Sequence, residues 1–235
     1  MVHSSNVHHL VIVLLSAWSV AAAVADDPPS ATKEALDAYR RLVGSAREEM
    51  LTGFDVVLRK LPSQTQRLGE SEQYRLSKLI DDEKLRFKSE GLIPWSLPMR
   101  PYLDQYRRTM SKAQDRLRRV YDTAIKQATQ SGDTNQADIL LAELEGTIKP
   151  QVVAVWRHNA GRGGRRKLFY SNGKISEPDA ANQWTFQRGN LLLVWKDPKA
   201  PGGAWKDRCK VADDGLTYLG RNQRGTKIRG EYVTK

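Results

Sequence analysis

The chain has 235 residues, a formal net charge of +11 and 40% hydrophobic residues, an ordinary globular composition with a basic bias and enough length for one or two domains. Cys209 is the only cysteine, so an internal disulfide is excluded. His158 is the only histidine beyond residue 25, and no Gly-x-Ser-x-Gly sequence occurs. The chain therefore lacks the residues that the usual zinc sites, Cys-His pairs and hydrolase nucleophiles require. We predict no metal and no cofactor, and the absences favour a non-enzymatic protein.

The first 25 residues have the pattern of a secretory signal peptide. An apolar run from Leu10 to Val20 is followed by a small-x-small triplet ending at Ala25, after which cleavage is expected. The segment before the run contains three histidines but no Lys or Arg, which departs from the pattern. The alternative is a membrane anchor that is retained. The pattern predicts a chain exported to the periplasm or the extracellular space.

Residues 30–149 show helical periodicity and are predicted to form an antiparallel helical bundle. A first helix is expected from Ser30 to Leu61, where Pro62 ends it, and a second from Ser71 to Ser89. A proline-rich corner follows and contains the apolar Trp95. The longest apolar stripe then runs through a helix from Met99 to Ser131, and Asp133 caps a last helix that stops before Pro150. The alternative is a coiled-coil hairpin or stalk that forms a homo-oligomer through these helices.

At Pro150 the period of the apolar residues changes from about 3.5 to 2. Short apolar segments alternate with turn signals such as Asn172-Gly173 and Asp214-Gly215. The predicted strands are Val152–Trp156, Lys167–Tyr170, Gln183–Phe186, Leu191–Trp195, Trp205–Val211, Leu216–Leu219 and Lys227–Val233. Isolated glycines at 220 and 230 predict sharp bends. Residues 150–235 are therefore expected to form a small antiparallel β barrel or sandwich, and the chain a two-domain α+β protein.

The basic excess lies almost entirely on this β module. From residue 150 onwards there are 17 basic and 7 acidic residues, whereas residues 26–149 hold 21 basic and 20 acidic ones. Two basic clusters are predicted to form an anion-binding surface; they comprise Arg157, Arg162, Arg165, Arg166 and Lys167, and Arg221, Arg224, Lys227 and Arg229. A solvated basic face without a ligand is the alternative. The tryptophans at 184, 195 and 205 are expected in the core, because each lies in an apolar strand.

The β module also carries a recurring pattern of aromatic residues and turn glycines. It runs from Trp156 through Asn172-Gly173-Lys174, Trp184, Leu191-x-Leu193-x-Trp195 and Trp205-x-Asp207 to Asp214-Gly215-x-x-Tyr218-x-Gly220 and Ile228-x-Gly230. This pattern resembles a small β module of uncharacterised exported proteins of planctomycete-type bacteria. Gly91–Ser96 and Tyr121-x-x-Ala124-Ile125 resemble the helical segments that accompany that module. The resemblance implies a fold and provides no catalytic residue.

We expect a non-enzymatic exported interaction protein whose basic β module binds an anionic polysaccharide or another anionic component of the cell envelope or matrix. The predicted export argues against nucleic acid as the partner. One alternative is a structural coiled-coil oligomer. The other is a carbohydrate-processing accessory enzyme using carboxylates among Asp207, Asp213, Asp214 and Glu231, since glycoside hydrolysis needs two carboxylates at a set separation. The pair at 213 and 214 is better explained as turn chemistry.

Overall fold

A computed structural model describes residues 28–65, 69–160 and 163–233, which form four α-helices followed by a seven-stranded antiparallel sheet. The predicted signal peptide lies outside these residues. The helices are α1 (Pro28–Gln64), α2 (Glu70–Glu90), α3 (Arg100–Gln130) and α4 (Thr134–Thr147), with a short 3₁₀ turn at Leu97–Met99. The strands are β1 (Val152–Asn159), β2 (Arg165–Tyr170), β3 (Gln183–Gln187), β4 (Asn190–Lys196), β5 (Ala204–Val211), β6 (Thr217–Arg221) and β7 (Lys227–Tyr232). The change of period at Pro150 thus marks the change from helices to strands, and the α+β class is confirmed.

The helices pack around the long pair α1 and α3. Leu36 near the start of α1 packs with Leu117 and Tyr121 towards the end of α3, whereas Phe54 near the end of α1 lies in the same cluster as Leu103 at the start of α3. The two helices are therefore antiparallel. A coiled-coil hairpin is not confirmed, because α2, α4 and the sheet also cover this pair. Within the described residues, no helix combines the length and the apolar character that a membrane crossing requires.

Two predicted helix ends are informative. Pro62 lies inside α1, which continues to Gln64, so the prediction that Pro62 ends this helix is wrong by about one turn. The helical turn is completed by Thr65, whose backbone N–H (3.0 Å) and hydroxyl (2.7 Å) both donate to the Leu61 carbonyl. Asp133 caps α4 as the sequence predicts, since its carboxylate accepts the N–H of Gln136 at 3.0 Å.

The sheet is a nearly closed barrel. The strand order is β2-β1-β7-β6-β5-β4-β3, and each neighbouring pair is antiparallel. The two edge strands, β2 and β3, are joined through the segment that connects them. This segment bridges to β2 through Ile175 and Phe169, and to β3 through Lys174 and Gln183. Gly230 allows close packing at β7, because the Tyr218 ring from β6 occupies the space where a Cβ at position 230 would lie. The barrel alternative of the prediction is thus the observed one.

The helices close one end of the barrel, which we call the helical end. Trp95, from the proline-rich corner, is 1% exposed and contacts the rings of Trp156 (5.3 Å between centroids) and Phe186 (4.9 Å). One buried cluster contains side chains of α1, α2, α3 and all seven strands. A division into two separate domains is not confirmed, because helices and barrel share this core.

The opposite end of the barrel, which we call the distal end, is formed by the β1–β2, β4–β5 and β6–β7 connections. The register of the sheet shows this, because the last pair before each connection lies at that end of the barrel. These pairs are His158 with Arg165, Lys196 with Ala204 and Arg221 with Lys227. The two basic clusters that the sequence predicts flank the β1–β2 and β6–β7 connections. Folding therefore brings segments some sixty residues apart to the same end of the barrel.

Candidate functional site

The outer face of the barrel carries many exposed cations. Side chains alternate between the two faces of a strand, so β5 buries Asp207, Cys209 and Val211 and exposes the residues between them. The same alternation applied to β1, β2, β5, β6 and β7 places one carboxylate, Glu231, on the outside. The cations that point outwards from these strands are Arg157, Arg166, Lys206, Arg208, Lys210, Arg221, Lys227 and Arg229.

Several of these cations lie directly opposite one another on neighbouring strands. Arg157 pairs with Arg166 across β1 and β2, and Arg221 pairs with Arg208 on one side and with Lys227 on the other. Like charges directly opposite each other destabilise a sheet. Glu231 lies opposite Arg157 on β7, but no carboxylate lies opposite Arg166, Arg208, Arg221 or Lys227. An anion bound across the strands would neutralise these cations.

Most of the predicted site residues lie on this face. Arg157, Arg166 and Lys227 are exposed and make no ion pair within the described residues. Arg229 forms an ion pair with Glu231 at 2.9 Å, and Arg221 donates to the Gly225 carbonyl at 3.0 Å. These two side chains are held in place rather than free, but both remain exposed.

The other predicted cations that the structure describes lie at the distal end. Arg165 and Lys167 belong to the inward-facing set of β2, and the Lys167 ammonium lies 5.2 Å from the centre of the Trp195 ring. Arg224, in the β6–β7 connection, stacks over Trp205 at 4.9 Å. Arg162 lies outside the described residues. Trp184 is buried as predicted, but Trp195 and Trp205 are only half-buried, because they close the distal end of the barrel.

Sequence reasoning missed several cations of the outer face. Lys206, Arg208 and Lys210 occupy alternate positions of β5, and Arg188 lies in the tight β3–β4 turn. The signal was present in β5 as a strict alternation of cations with inward-facing residues. The three cations of β5 are spaced at least as closely as those of the predicted cluster from Arg221 to Arg229, so this signal could have identified them.

A shallow groove of about 600 Å³ lies on the outer face of β3, β4, β5 and β6. Two cross-strand rows line it: Thr185, Leu192 and Arg208 are in register, as are Gln187, Asn190, Lys210 and Leu219. Arg188 adds a third cation from the β3–β4 turn. We call this feature the outer groove. Its volume falls within the range of about 300–1,000 Å³ that is typical of small-molecule sites.

Inside the barrel, a polar cluster lies beneath the distal end. The His158 imidazole bonds the Tyr218 hydroxyl through Nδ1 at 2.7 Å, and its Nε2 lies 3.6 Å from the Asp207 carboxylate. Burial and the nearby Lys167 lower the pKa of His158 to about 4, so the ring is neutral at physiological pH. With the proton on Nε2 facing the carboxylate, Nδ1 accepts the hydrogen bond from Tyr218.

Asp207 is 2% exposed and accepts the Trp195 indole N–H at 2.6 Å. Burial raises the pKa of its carboxyl group, and the bond from Trp195 opposes that rise. The other carboxylates of the enzyme alternative also have local partners. Asp214 accepts the Leu216 N–H at 2.9 Å within its turn, Asp213 lies 3.9 Å from Arg100, and Glu231 pairs with Arg229. The residues described contain no group of three or more potential metal ligands.

A scan against protein-family models, a search of curated proteins and a search of solved structures each found no significant match. The resemblance to the planctomycete-type module therefore stays a prediction, and a function is inferred from the geometry and charge of the barrel.

Proposed function

We propose that the protein is a non-enzymatic binding protein whose cationic barrel face holds an anionic polysaccharide or a similar anionic polymer of the cell envelope or matrix. The observation that supports this most directly is the set of like-charged pairs on neighbouring strands, Arg157 with Arg166 and Arg221 with Arg208 and Lys227. Neighbouring strands are about 4.8 Å apart, so a polymer with regularly spaced charges would meet several cations at once.

Two further features support a polymer rather than a single small anion. The cations extend over the outer face of five strands and reach the distal end, where Arg165 and Arg224 lie. The surface is also mostly open, since Arg157, Arg166, Lys206, Arg208 and Lys210 are all exposed. An extended charged surface attracts a polyanion over a distance of about one Debye length, which is roughly 8 Å at physiological salt.

The proposal is tested by retention on immobilised heparin at moderate salt, with two variants of equal net charge. The barrel variant carries Arg157→Gln, Arg166→Gln and Lys227→Gln, three exposed positions on the barrel. The matched control carries Arg116→Gln, Arg118→Gln and Arg119→Gln, three exposed positions in the part of α3 that packs on α4. We expect the wild-type protein and the control to be retained and the barrel variant to elute at markedly lower salt.

Two results would overturn the proposal. A wild-type protein that passes through the column without retention has no affinity for this polyanion. Equal losses in the two variants would show that retention follows net charge and not the barrel face.

A further inference from the structure

We infer that the outer groove is a binding subsite for one carboxylated sugar unit of a polysaccharide. The inference depends on the proposed function and makes it more specific, because it names the chemistry of the ligand and the place where one unit is recognised.

The charge of the groove is the first feature that favours such a ligand. Arg188, Arg208 and Lys210 are exposed, and all three contribute to the lining. None of these three side chains makes an ion pair or a hydrogen bond with another described residue. Three unpaired cations around one hollow provide strong donors for a carboxylate, and an arginine can bind it through two parallel hydrogen bonds. The groove therefore favours an anionic group over a neutral one.

The neutral part of the lining is the second feature. The amides of Gln187 and Asn190 and the hydroxyl of Thr185 both donate and accept hydrogen bonds, as sugar hydroxyls do. Leu219 is 62% exposed and, with the half-buried Leu192, offers an apolar surface to the C–H groups of a sugar ring. No aromatic side chain is among the described residues that line the groove, so the stacking surface on which single-stranded nucleic acids depend is missing here.

The backbone at Arg188 is the third feature. Gln187 and Asn190 are paired, so β3 and β4 are joined by a two-residue turn. Arg188 has a φ of 50° and Gly189 a φ of 81°, which are the left-handed values of a type I′ turn. Asn, Asp or Gly is preferred at the first of these positions, and a long side chain is disfavoured there. The turn thus carries a residue that is poor for the fold and well placed for the groove.

The Arg188→Asn variant separates these two roles. Asn accepts a positive φ more readily than Arg, so the melting temperature should stay the same or rise. The loss of one cation should weaken the binding of trigalacturonic acid about tenfold, the effect of losing one charge-assisted hydrogen bond. A second variant, Leu219→Asp, places a carboxylate in the groove at an exposed position and should abolish this binding. Arg118→Asn, an exposed substitution on α3, removes the same charge away from the groove; as the matched control it should leave the affinity unchanged.

The measurement is isothermal titration calorimetry of the whole protein with trigalacturonic acid, with neutral galactotriose and tripolyphosphate as comparison ligands. We expect binding of the acidic trisaccharide alone. If the wild-type protein is retained on heparin but does not bind trigalacturonic acid, this inference is overturned and the proposed function stands. If the protein neither binds trigalacturonic acid nor is retained on heparin, the inference and the proposed function are both overturned. Equal binding of tripolyphosphate, or wild-type affinity in Arg188→Asn and Leu219→Asp, would also contradict the inference.

Discussion

The contact between Glu83 and the proline-rich corner gives a direct test of how the helices close the barrel. Glu83 is 5% exposed, and its Oε1 accepts the backbone N–H groups of Trp95 (2.7 Å) and Ser96 (2.9 Å). Its Oε2 accepts the Ser96 hydroxyl. The carboxylate thus fixes the backbone that places Trp95 in the barrel. Burial raises the pKa of this carboxyl group, and the three hydrogen bonds oppose that rise.

Replacing Glu83 by alanine leaves two buried backbone N–H groups without an acceptor. Each such group costs about 1–3 kcal/mol, so Glu83→Ala should lower the free energy of unfolding by about 2–6 kcal/mol. Glu83→Gln keeps one oxygen for both N–H groups and removes a buried charge, so its loss should be about 1 kcal/mol or less. Asp82→Ala, at the exposed neighbouring position, should stay within about 0.5 kcal/mol of the wild type.

These values are measured by urea unfolding followed by circular dichroism and by tryptophan fluorescence. A Glu83→Ala protein as stable as the Asp82→Ala control would refute the reasoning. So would a Glu83→Gln protein that loses as much as Glu83→Ala, because the charge itself would then be the stabilising feature.

Two further predictions concern the barrel interior. The pKa of His158 is lowered to about 4 in the folded protein, whereas it is about 6.5 in an unfolded chain. The unfolded state therefore binds the proton first as the pH falls. The free energy of unfolding should drop by about 2 kcal/mol between pH 7 and pH 5. The raised pKa of Asp207 has the opposite effect on stability at lower pH. The contribution of His158 is therefore measured by urea unfolding, as the difference between the wild-type protein and His158→Gln at each pH. Parallel pH profiles of stability for the two proteins would disprove this prediction. Gly230→Ala places a methyl group in the space of the Tyr218 ring and should cost more than about 2 kcal/mol, whereas Gly146→Ala, with nothing near its new Cβ, should stabilise α4 by up to about 1 kcal/mol. Similar melting temperatures for these two glycine variants would show that the Tyr218 ring does not constrain β7.

The order of helices and strands follows from local patterns, and for that reason the sequence predicts it well. The apolar period changes at Pro150, and turn residues such as Asn172-Gly173 and Asp214-Gly215 separate the strands. The strand ends are less well predicted. The β1 strand extends to Asn159 and β2 begins at Arg165, because cross-strand hydrogen bonds continue beyond the apolar residues that signal a strand.

Contacts between distant segments could not be predicted from these patterns. Trp95 meets Trp156, Trp184 and Phe186 inside the barrel, although some sixty to ninety residues separate them in sequence. The residues around Trp95 indicate only that this corner is apolar and not helical. Likewise, the outer groove requires residues of β3 to β6 in a particular register, and a shift by one residue would turn each cation to the other face.

The charge of the candidate surface was visible in the sequence, but its distribution was not. Arg165 and Lys167 belong to the same basic run as Arg166, yet only Arg166 lies on the outer face. Arg208 and Lys210 lie outside the predicted clusters and line the groove. A count of charges along the chain identifies the module, whereas the sheet register determines which cations an anion meets.

The salt dependence of polyanion binding tests the central claim most directly. If the barrel face binds a polyanion through its cations, the logarithm of the affinity for heparin should fall linearly with the logarithm of the salt concentration. The variant with Arg157→Gln, Arg166→Gln and Lys227→Gln should give a shallower slope, by about one unit for each cation that no longer meets the polymer. An affinity that does not change with salt, or an unchanged slope in this variant, would contradict the proposed role of the barrel face.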